Sequence, residues 1–191
     1  MILKTDRLLL RPFSIEDSAD FFSISSDPMV TEFLTWGPHI HMEESLESIQ
    51  TRFINNTNVF CIEHRDDNKC IGCIDLRFDN TNKKVGFGYM LSQSYWGSGY
   101  MTETLKAVLD YIFSSFDINK VEASYYVGNP GSGRVMEKCG MVYEGTQKES
   151  LIIKNKFVDV VNYGLTKKDF LDFTQPLINK KPEQLLDEIL R

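Results

Sequence analysis

The chain has 191 residues, of which 42% are hydrophobic and 25% charged, and its formal net charge is −6. These values are typical of one globular domain with at most a short appendage. An acidic chain gains little from the counterion release that drives binding to phosphate polymers, so the composition argues against nucleic acid or an anionic membrane as a partner. No apolar run approaches the ~20 residues of a membrane span. The first residues lack the apolar segment of a signal peptide, and we expect a soluble, cytoplasmic protein.

The first half of the chain alternates between strand and helix patterns. Ser14, with Asp17 three residues later, is typical of a helix N-terminus. The predicted elements are a strand over Thr5 to Phe13, a short helix after Ser14, a helix from Glu43 or Glu44 to Asn55, and strands over Val59 to His64, Cys70 to Phe78 and Lys84 to Leu91. In the last of these strands Gly86 and Gly88 share one face, which marks a close approach by another backbone or a ligand.

The second half contains the clearest helix. Apolar residues from Met101 to Phe116 recur on one face, which predicts an amphipathic helix. The elements predicted after it are a strand over Lys120 to Tyr126, a short helix from Asn129 and Pro130 to Gly140, and a hairpin of Met141 to Ile153 and Phe157 to Thr166. We expect one domain over residues 1–168. A partly helical extension over residues 169–191, with a helix from Pro182 to Leu190, is a candidate dimer or partner contact, and a plain surface helix is the alternative.

A glycine-rich loop, Tyr-Trp-Gly-Ser-Gly-Tyr-Met-Thr over residues 95–102, precedes the amphipathic helix. A helix start presents unpaired amides and the positive end of the helix dipole, and glycines let consecutive amides turn towards one anion. The loop therefore suits a pyrophosphate. Glycines that only make a tight strand-to-helix turn are the alternative explanation.

Three kinds of phosphate loop compete for this segment. A P-loop requires Gly-Lys-Ser/Thr, which the segment lacks. A dinucleotide fingerprint requires a third glycine where this chain has Thr102, and a glycine turn directly after the strand, whereas Ser92 to Trp96 intervene. The third kind is a coenzyme A loop.

Three motifs in a fixed order resemble the GNAT acyltransferase superfamily. They are Gly88-Tyr89-Met90-Leu91 on a strand, the loop from Tyr95 to Glu103, and Asn129-x-x-Ser132 followed by Glu137 to Met141. The sequence is most similar to ribosomal-protein N-terminal acetyltransferases of the RimJ/RimL type, with which it shares Thr5-Asp6-Arg7-Leu8 and Asp159-x-x-x-Tyr163-Gly164-Leu165. The loop departs from the usual pattern at Trp96 and Met101, but binding by main-chain amides tolerates such changes.

The resemblance implies an α/β (α+β) fold and acetyl-CoA as co-substrate, without a metal. The implied sheet is mixed and mostly antiparallel, with about seven strands, a splay between the fourth and fifth, and about four flanking helices. Met90 and Leu91 would bind pantetheine, and an amide there would polarise the thioester carbonyl. The implied pyrophosphate ligands are the amides of Gly97, Ser98, Gly99, Tyr100, Met101 and Thr102. Asn129 would contact the pantetheine arm, and Ser132 would return a proton to the sulfur.

The acceptor and the base are left open by these motifs. A peptide α-amine has a pKa of ~7.7 to 8.0 against ~10.4 for lysine, which favours an N-terminal α-amine as the acceptor. We expect this amine to attack the thioester directly in a ternary complex. Acetylation of a polyamine, amino acid or antibiotic is the first alternative, and a non-catalytic coenzyme sensor is the second. Asp159, a carboxylate among apolar strand neighbours, is a candidate for the acceptor site, as is the loop residue His39. Ser132 and Asn129 have ordinary helix-start explanations as well.

Cys61, His64, Cys70 and Cys73 have the spacing of zinc ligands. On the predicted hairpin Cys61 faces Cys73 and His64 faces Cys70, while residues three apart on one strand point to opposite faces. The four side chains therefore do not converge, and we predict no metal. Four cysteines in a chain of this size do not suggest a disulfide framework, which fits a reducing compartment.

The negative charge is concentrated between Pro12 and Thr51, which contains eight carboxylates and no lysine or arginine. In the implied fold this acidic stretch forms the first two helices and their loop, on the acceptor side. We therefore predict a cationic acceptor, such as a peptide N-terminus or a small amine.

Overall fold

A computed structural model describes residues 2–179 as one eight-stranded sheet flanked by helices. The strands are β1 (Leu3–Lys4), β2 (Leu8–Arg11), β3 (Val59–His64), β4 (Lys69–Asp79), β5 (Lys84–Leu91), β6 (Lys120–Tyr126), β7 (Val142–Ile153) and β8 (Lys156–Thr166). The helices are α1 (Ser18–Ser25), α2 (Pro28–Thr31), α3 (Met42–Ser48), α4 (Tyr100–Ser115), α5 (Pro130–Lys138) and α6 (Lys167–Asn179), and a π-helical turn over Ile49–Phe53 continues α3. Within residues 2–179, each helix is too short or too polar to cross a membrane.

The strand order is β1-β2-β3-β4-β5-β6-β8-β7, and β5 and β6 form its parallel pair. These two strands pair only from Lys84 to Gly86 and from Lys120 to Glu122. Past that point their pairing ends, and the sheet opens. The expected mixed, mostly antiparallel sheet with a central splay is confirmed. The splayed strands are the fifth and sixth because the short β1 was not predicted as a separate strand.

Two hydrophobic cores cover the two faces of the sheet. The larger core packs α4, α5 and α6 against one face, with Leu105, Ile112 and Met136 almost fully buried. The smaller core packs α1, α2 and the turn after α3 against the other face. Strand β5 alternates between them, since Phe87 belongs to the larger core and Met90 to the smaller one. This alternation gives the two faces of β5 different neighbours, with α4 and α5 on one side and α1 and α2 on the other.

Three carboxylates of the acidic stretch, Asp17, Asp27 and Glu44, stabilise local structure. Asp17 accepts hydrogen bonds from the Arg11 guanidinium at 2.7 and 2.8 Å and from the Ser14 amide at 2.8 Å, which forms the predicted helix start. Asp27 caps α2 by accepting from the Met29 amide, and Glu44 caps α3 by accepting from the Ile40 and His41 amides. Burial alone would raise the pKa of Asp17, but the bonds from Arg11 and Ser14 outweigh it and hold that pKa below its ordinary value.

Several predicted elements differ from the structure. The first strand is limited to Leu8–Arg11 because Thr5 starts a tight turn, with its amide bonded to the Leu8 carbonyl at 3.0 Å. Helix α6 was not predicted, because Pro176 falls inside it. It starts where the Thr166 hydroxyl and Asp169 bond each other, and Phe170 stacks on Phe113 in the larger core at 4.8 Å. The helix predicted over Pro182 to Leu190 lies outside the described residues.

Candidate active site

A cleft of about 1140 Å³ opens where β5 and β6 separate. Its walls come from the ends of these strands, the start of α4, the start of α5 and the segment after α2. Ligand sites in open sheets commonly lie at such a break between strands. The cleft divides into a half facing α4 and α5 and a half facing α1 to α3, because neighbouring residues of β5 point to opposite faces.

The glycine loop forms one end of the first half. Gly97 and Gly99 have φ angles of +76° and +81°, a conformation that favours glycine over any residue with a Cβ. Among residues 2–179, no protein group accepts a hydrogen bond from the amides of residues 97–102. Six consecutive donors at the start of a 16-residue helix are therefore free for an anion. A pyrophosphate fits this arrangement without any lysine.

The N-terminal turn braces this loop from outside. Arg7 donates from Nε to Glu103 Oε2 at 2.6 Å and from Nη1 to the Ser98 carbonyl at 3.0 Å. Its guanidinium lies 4.2 Å from the centre of the Tyr100 ring, and the Thr5 hydroxyl donates to Glu103 at 2.6 Å. This brace, formed by Thr5, Arg7 and Glu103, links β1 and β2 to the first turn of α4. The sequence shows these residues only as parts of motifs, and no role was predicted for them.

The end of β5 is fixed by contacts on both sides. The Trp96 indole donates to the Leu91 carbonyl at 2.8 Å, so the loop residue that departs from the usual pattern ties the loop to the strand. On the opposite side, Gly72 faces Leu91, and a Cβ at Gly72 would overlap the Met90 carbonyl. The main chain at Met90 and Leu91 is thereby held in place, as an oxyanion site requires.

Asn129 and Ser132 act together at the start of α5. Asn129 Oδ1 accepts from the Ser132 amide at 3.3 Å, and its Nδ2 donates to Ser132 Oγ at 3.1 Å. The Ser132 hydroxyl is thus an acceptor in one bond and keeps its own proton for another partner. Tyr89 of β5 donates to the Ser132 carbonyl at 3.1 Å and joins the two walls of the cleft.

Asp75 and Arg77 of β4 occupy the other half of the cleft. Their side chains form an ion pair of 3.4 Å, and they lie over Gly88 and Gly86 of β5. A Cβ at Gly88 would lie 2.8 Å from Asp75 Oδ2. The face of β5 that lacks side chains therefore makes room for this carboxylate. Burial raises the pKa of Asp75, and the nearby Arg77 opposes this only in part.

The segment after α2 closes this half. Trp36 and Phe33 line the cleft, and Lys154 of the β7–β8 hairpin donates to the Thr31 carbonyl at 2.7 Å. Four carboxylates and four basic side chains line the whole cleft: Glu32, Asp75, Glu122 and Glu144, with Arg52, Arg77, Arg134 and Lys138. Only Glu32 among them comes from the acidic stretch. A cationic acceptor would therefore be recognised by individual carboxylates and not by that stretch as a whole.

The cleft brings most of the predicted coenzyme residues together. Its lining includes Met90, Leu91, Gly97, Gly99, Tyr100, Met101, Thr102, Asn129 and Ser132. Ser98 lies outside this lining, where its carbonyl accepts from Arg7. Asp159 also lies outside it, with its carboxylate accepting from the Glu149 amide at 2.8 Å. His39 is bonded to Ser45 at 2.7 Å and packs on Trp36. The assignment of Asp159 to the acceptor site stays a prediction, and the cleft lining gives it no support.

The cysteine hairpin has a register different from the predicted one. Cys61 faces Cys73 as expected, but a bulge after Ile62 places Glu63, and not His64, opposite Cys70. His64 instead bonds Tyr100 at 3.0 Å beside the glycine loop. Within the described chain, no three His, Cys, Asp or Glu side chains gather as a metal site.

Known proteins are similar to this chain in both sequence and fold. A sequence model of the GNAT acetyltransferase domain matches residues 7–142. The chain is 28% identical to the N-acetyltransferase p20 of Bacillus licheniformis over 175 residues, which cover 88% of this chain and 97% of the relative. It is 30% identical to YdaF of Bacillus subtilis, named provisionally as a ribosomal N-acetyltransferase, over 105 residues that cover 54% and 57% of the two chains.

Two solved structures extend the comparison. A GNAT-family acetyltransferase of Bacillus anthracis superimposes with a TM-score of 0.82 at 25% identity and covers 88% of this chain and 99% of its own. The spermidine N-acetyltransferase of Vibrio cholerae, solved with CoA and spermine, has a TM-score of 0.74 at 20% identity and covers 87% and 99%. The cleft, the domain match and these likenesses agree, and the chain belongs to the GNAT family of N-acetyltransferases.

Proposed function

We propose that the protein moves an acetyl group from acetyl-CoA to a primary amine, and that the acceptor is the N-terminal α-amine of a peptide or protein. One observation carries this proposal. A single cleft joins the free amides of Gly97 and of residues 99–102, the main-chain edge of β5 and the Ser132 hydroxyl. These are the groups that would hold a pyrophosphate, polarise a thioester and protonate a thiolate.

The coenzyme half would work through the main chain. Bound acetyl-CoA supplies the activated acetyl group. The amides of residues 97–102 would hold its pyrophosphate, and the amides at Met90 and Leu91 would line its pantetheine arm and thioester. Asn129 positions the Ser132 hydroxyl, whose free proton can meet the departing sulfur. Acyl transfer gains most from such donors when they are fixed before reaction.

Direct transfer in a ternary complex is favoured over an acyl-enzyme. Cys73 is the cysteine in the cleft lining, and it lies beside Met90. Burial raises the pKa of the Cys73 thiol well above its ordinary value. Because the thiolate is the nucleophilic form, this cysteine is unsuited to carry the acetyl group.

The α-amine acceptor rests on chemistry and on the provisional ribosomal name of YdaF. With a pKa near ~7.7 to 8.0, an α-amine is partly uncharged at neutral pH. A polyamine is the second candidate, because the related fold of Vibrio cholerae is that of a spermidine acetyltransferase and Glu32 and Asp75 offer carboxylates to a cation. A coenzyme sensor would need neither Ser132 nor an acceptor half.

A cytoplasmic location and a homodimer belong to the same proposal. The four cysteines are free thiols, which suits a reducing compartment. Val142, Ile152 and Phe157 of the β7–β8 hairpin are more than half exposed, which suits a contact with a second copy. Sedimentation of the purified chain at micromolar concentration tests the dimer.

A thiol-release assay tests the function. The purified protein is incubated with acetyl-CoA and a panel of ribosomal-protein N-terminal peptides, polyamines and free amino acids. We expect coenzyme thiol to be released with a peptide, and Ser132→Ala to retain coenzyme affinity while losing turnover. If coenzyme binds but no amine is acetylated, the catalytic function is contradicted and the sensor is favoured.

A further inference from the structure

We propose that Asp75 is the catalytic carboxylate that binds the acceptor ammonium and takes its proton. The proposal rests on the proposed acetyl transfer and names the group that the acceptor half supplies. Sequence motifs give no sign of Asp75, because a single aspartate on a strand has no characteristic spacing. Its position over β5 is the feature that singles it out.

Gly88 places the carboxylate over the strand that lines the splay. Asp75 faces Gly88 in the β4–β5 register, and a Cβ at Gly88 would lie 2.8 Å from Asp75 Oδ2. Any side chain at this position would displace the carboxylate. Gly86, the next residue on the same face, has no such constraint, because its nearest neighbour is Arg77 Nε at 3.7 Å from the Cβ position. The two glycines therefore differ in what they accommodate.

The spacing along β5 suits an amine between the carboxylate and the thioester. Met90 is two residues beyond Gly88 and points to the same face, a separation of about 6 to 7 Å on an extended strand. An amine nitrogen takes up about 2.8 Å in a hydrogen bond to a carboxylate. It needs about 3 to 3.5 Å to the carbon it attacks. The spacing from Gly88, which the Asp75 carboxylate overlies, to Met90 is thus about the length that one nitrogen spans between a carboxylate and an acetyl carbon held beside Met90.

Two protons leave the acceptor nitrogen during the reaction, and each has an acceptor in the cleft. The ammonium gives one proton to the Asp75 carboxylate, which passes it to solvent through the open side of the cleft. The freed nitrogen lone pair forms the C–N bond to the acetyl carbon as the C–S bond breaks. The sulfur takes a proton from the Ser132 hydroxyl, and the second proton lost by nitrogen restores that hydroxyl. The products are the N-acetylated amine, the coenzyme thiol and one proton.

Arg77, on the same strand, is the charged group paired with Asp75. The other charged residues on the acceptor side of the cleft lining are Glu122 of β6, Arg52 after α3 and Glu32 after α2, and the Cys73 thiol is neutral. Arg77 is paired at 3.4 Å and is 64% exposed, so an incoming ammonium can take its place beside the carboxylate. Removing Arg77 leaves burial opposed only by a main-chain hydrogen bond and raises the pKa of Asp75 further. The acid limb of the rate profile should then move to higher pH.

The test compares Asp75→Asn with wild type on the acceptor found in the panel. We expect kcat/KM near pH 7 to fall about 100-fold, the usual effect of losing a general base. The rate of the variant should rise with pH up to the pKa of the amine itself, since only acceptor that is already deprotonated and uncharged reacts. Gly88→Ala should lower kcat/KM about tenfold and Gly86→Ala by less than twofold. Coenzyme affinity should be unchanged in all these variants, which reports that they are folded.

A binding measurement keeps the test independent of turnover. Calorimetry with CoA-loaded protein measures the affinity for spermidine and for a peptide that begins with alanine. We expect Asp75→Asn to lower the affinity for the amine at least about tenfold. If wild type binds an amine through Asp75 but never acetylates it, the proposed function fails while the ammonium site stands. Unchanged amine binding and an unchanged pH profile in Asp75→Asn would overturn the inference. The inference would also be overturned if Asp159→Asn, and not Asp75→Asn, gave a rate that rises with pH up to the pKa of the amine. The same holds if wild type bound neither amine.

Discussion

Replacing Arg7 with alanine removes the side chain that connects the N-terminal turn to the coenzyme loop. Arg7 contributes an ion pair to Glu103 at 2.6 Å, a hydrogen bond to the Ser98 carbonyl at 3.0 Å and a contact with the Tyr100 ring at 4.2 Å. No other described side chain bonds the carbonyl of Ser98. Without Arg7 the loop amides should be less well ordered before the coenzyme binds.

The size of the effect follows from the exposure of these contacts. The Arg7 side chain is 42% exposed and that of Glu103 is 19% exposed, so the ion pair contributes at most about 1 kcal/mol. At such an exposed site the hydrogen bond to the Ser98 carbonyl adds about 0.5 to 1.5 kcal/mol and the cation–π contact about 0.5 to 1 kcal/mol. If most of this ordering is needed for coenzyme binding, affinity should fall by about 1 to 2 kcal/mol, or about 5- to 30-fold.

A truncated thioester separates this role from a general loss of stability. Acetyl-CoA and acetyl-pantetheine, which lacks the pyrophosphate, are compared by steady-state kinetics with wild type, Arg7→Ala and Arg7→Lys. Arg7→Ala should raise KM for acetyl-CoA with little change in kcat, and should leave kcat/KM for acetyl-pantetheine unchanged. Arg7→Lys should be intermediate, because an ammonium cannot bridge Glu103 and Ser98 as a planar fork does. Equal losses with both thioesters, or no loss with either, would refute the reasoning.

Three further predictions follow from other contacts. Gly99→Ala places a Cβ where φ is +81°, so coenzyme affinity should fall by about 1 kcal/mol in calorimetry, and Gly37→Ala is the matched control without such strain. Asp17→Asn should lower the free energy of unfolding in urea by about 2 to 3 kcal/mol at pH 7, because Arg11 loses its main partner. Since the pKa of Asp17 is lowered in the fold from a reference of 3.8, the difference from wild type should shrink as pH falls below about 4 through the lowered value, and a pH-independent difference would contradict this. Raising the salt concentration should increase the KM for the acceptor more than the KM for acetyl-CoA, because salt screens the contact between an ammonium and a carboxylate. Equal increases would argue against recognition of the acceptor by carboxylates.

The coenzyme half was largely predictable because its signals are local. An apolar stripe at helical spacing predicts α4, and two glycines before it predict a turn that exposes amides. Asn129 and Pro130 open α5 as expected, with Ser132 bonded to Asn129. Each of these features depends on residues within one or two helical turns of each other.

The acceptor half could not be predicted in the same way because it depends on pairing between distant residues. Asp75 acquires its position from its register with Gly88. In the coenzyme half, the Arg7 brace has the same origin, because its partner Glu103 lies nearly a hundred residues later. The Asp75 pairing follows from where the β4–β5 turn lies: a turn over residues 80–83 places Asp75 opposite Gly88, and a turn one residue earlier would place it opposite Gly86. The bulge after Ile62, which moves His64 out of register with Cys70, has no comparable signal.

Transfer of the acetyl group itself is the most direct test of the central claim. Acetyl-CoA labelled with carbon-13 in the acetyl group is incubated with the protein and the amine panel, and products are identified by mass spectrometry. The account predicts labelled acetyl on a primary amine, one coenzyme thiol released per amine acetylated, and no label on the protein. Tight coenzyme binding with the label remaining on the thioester for every amine, or a labelled protein that precedes the product, would contradict it.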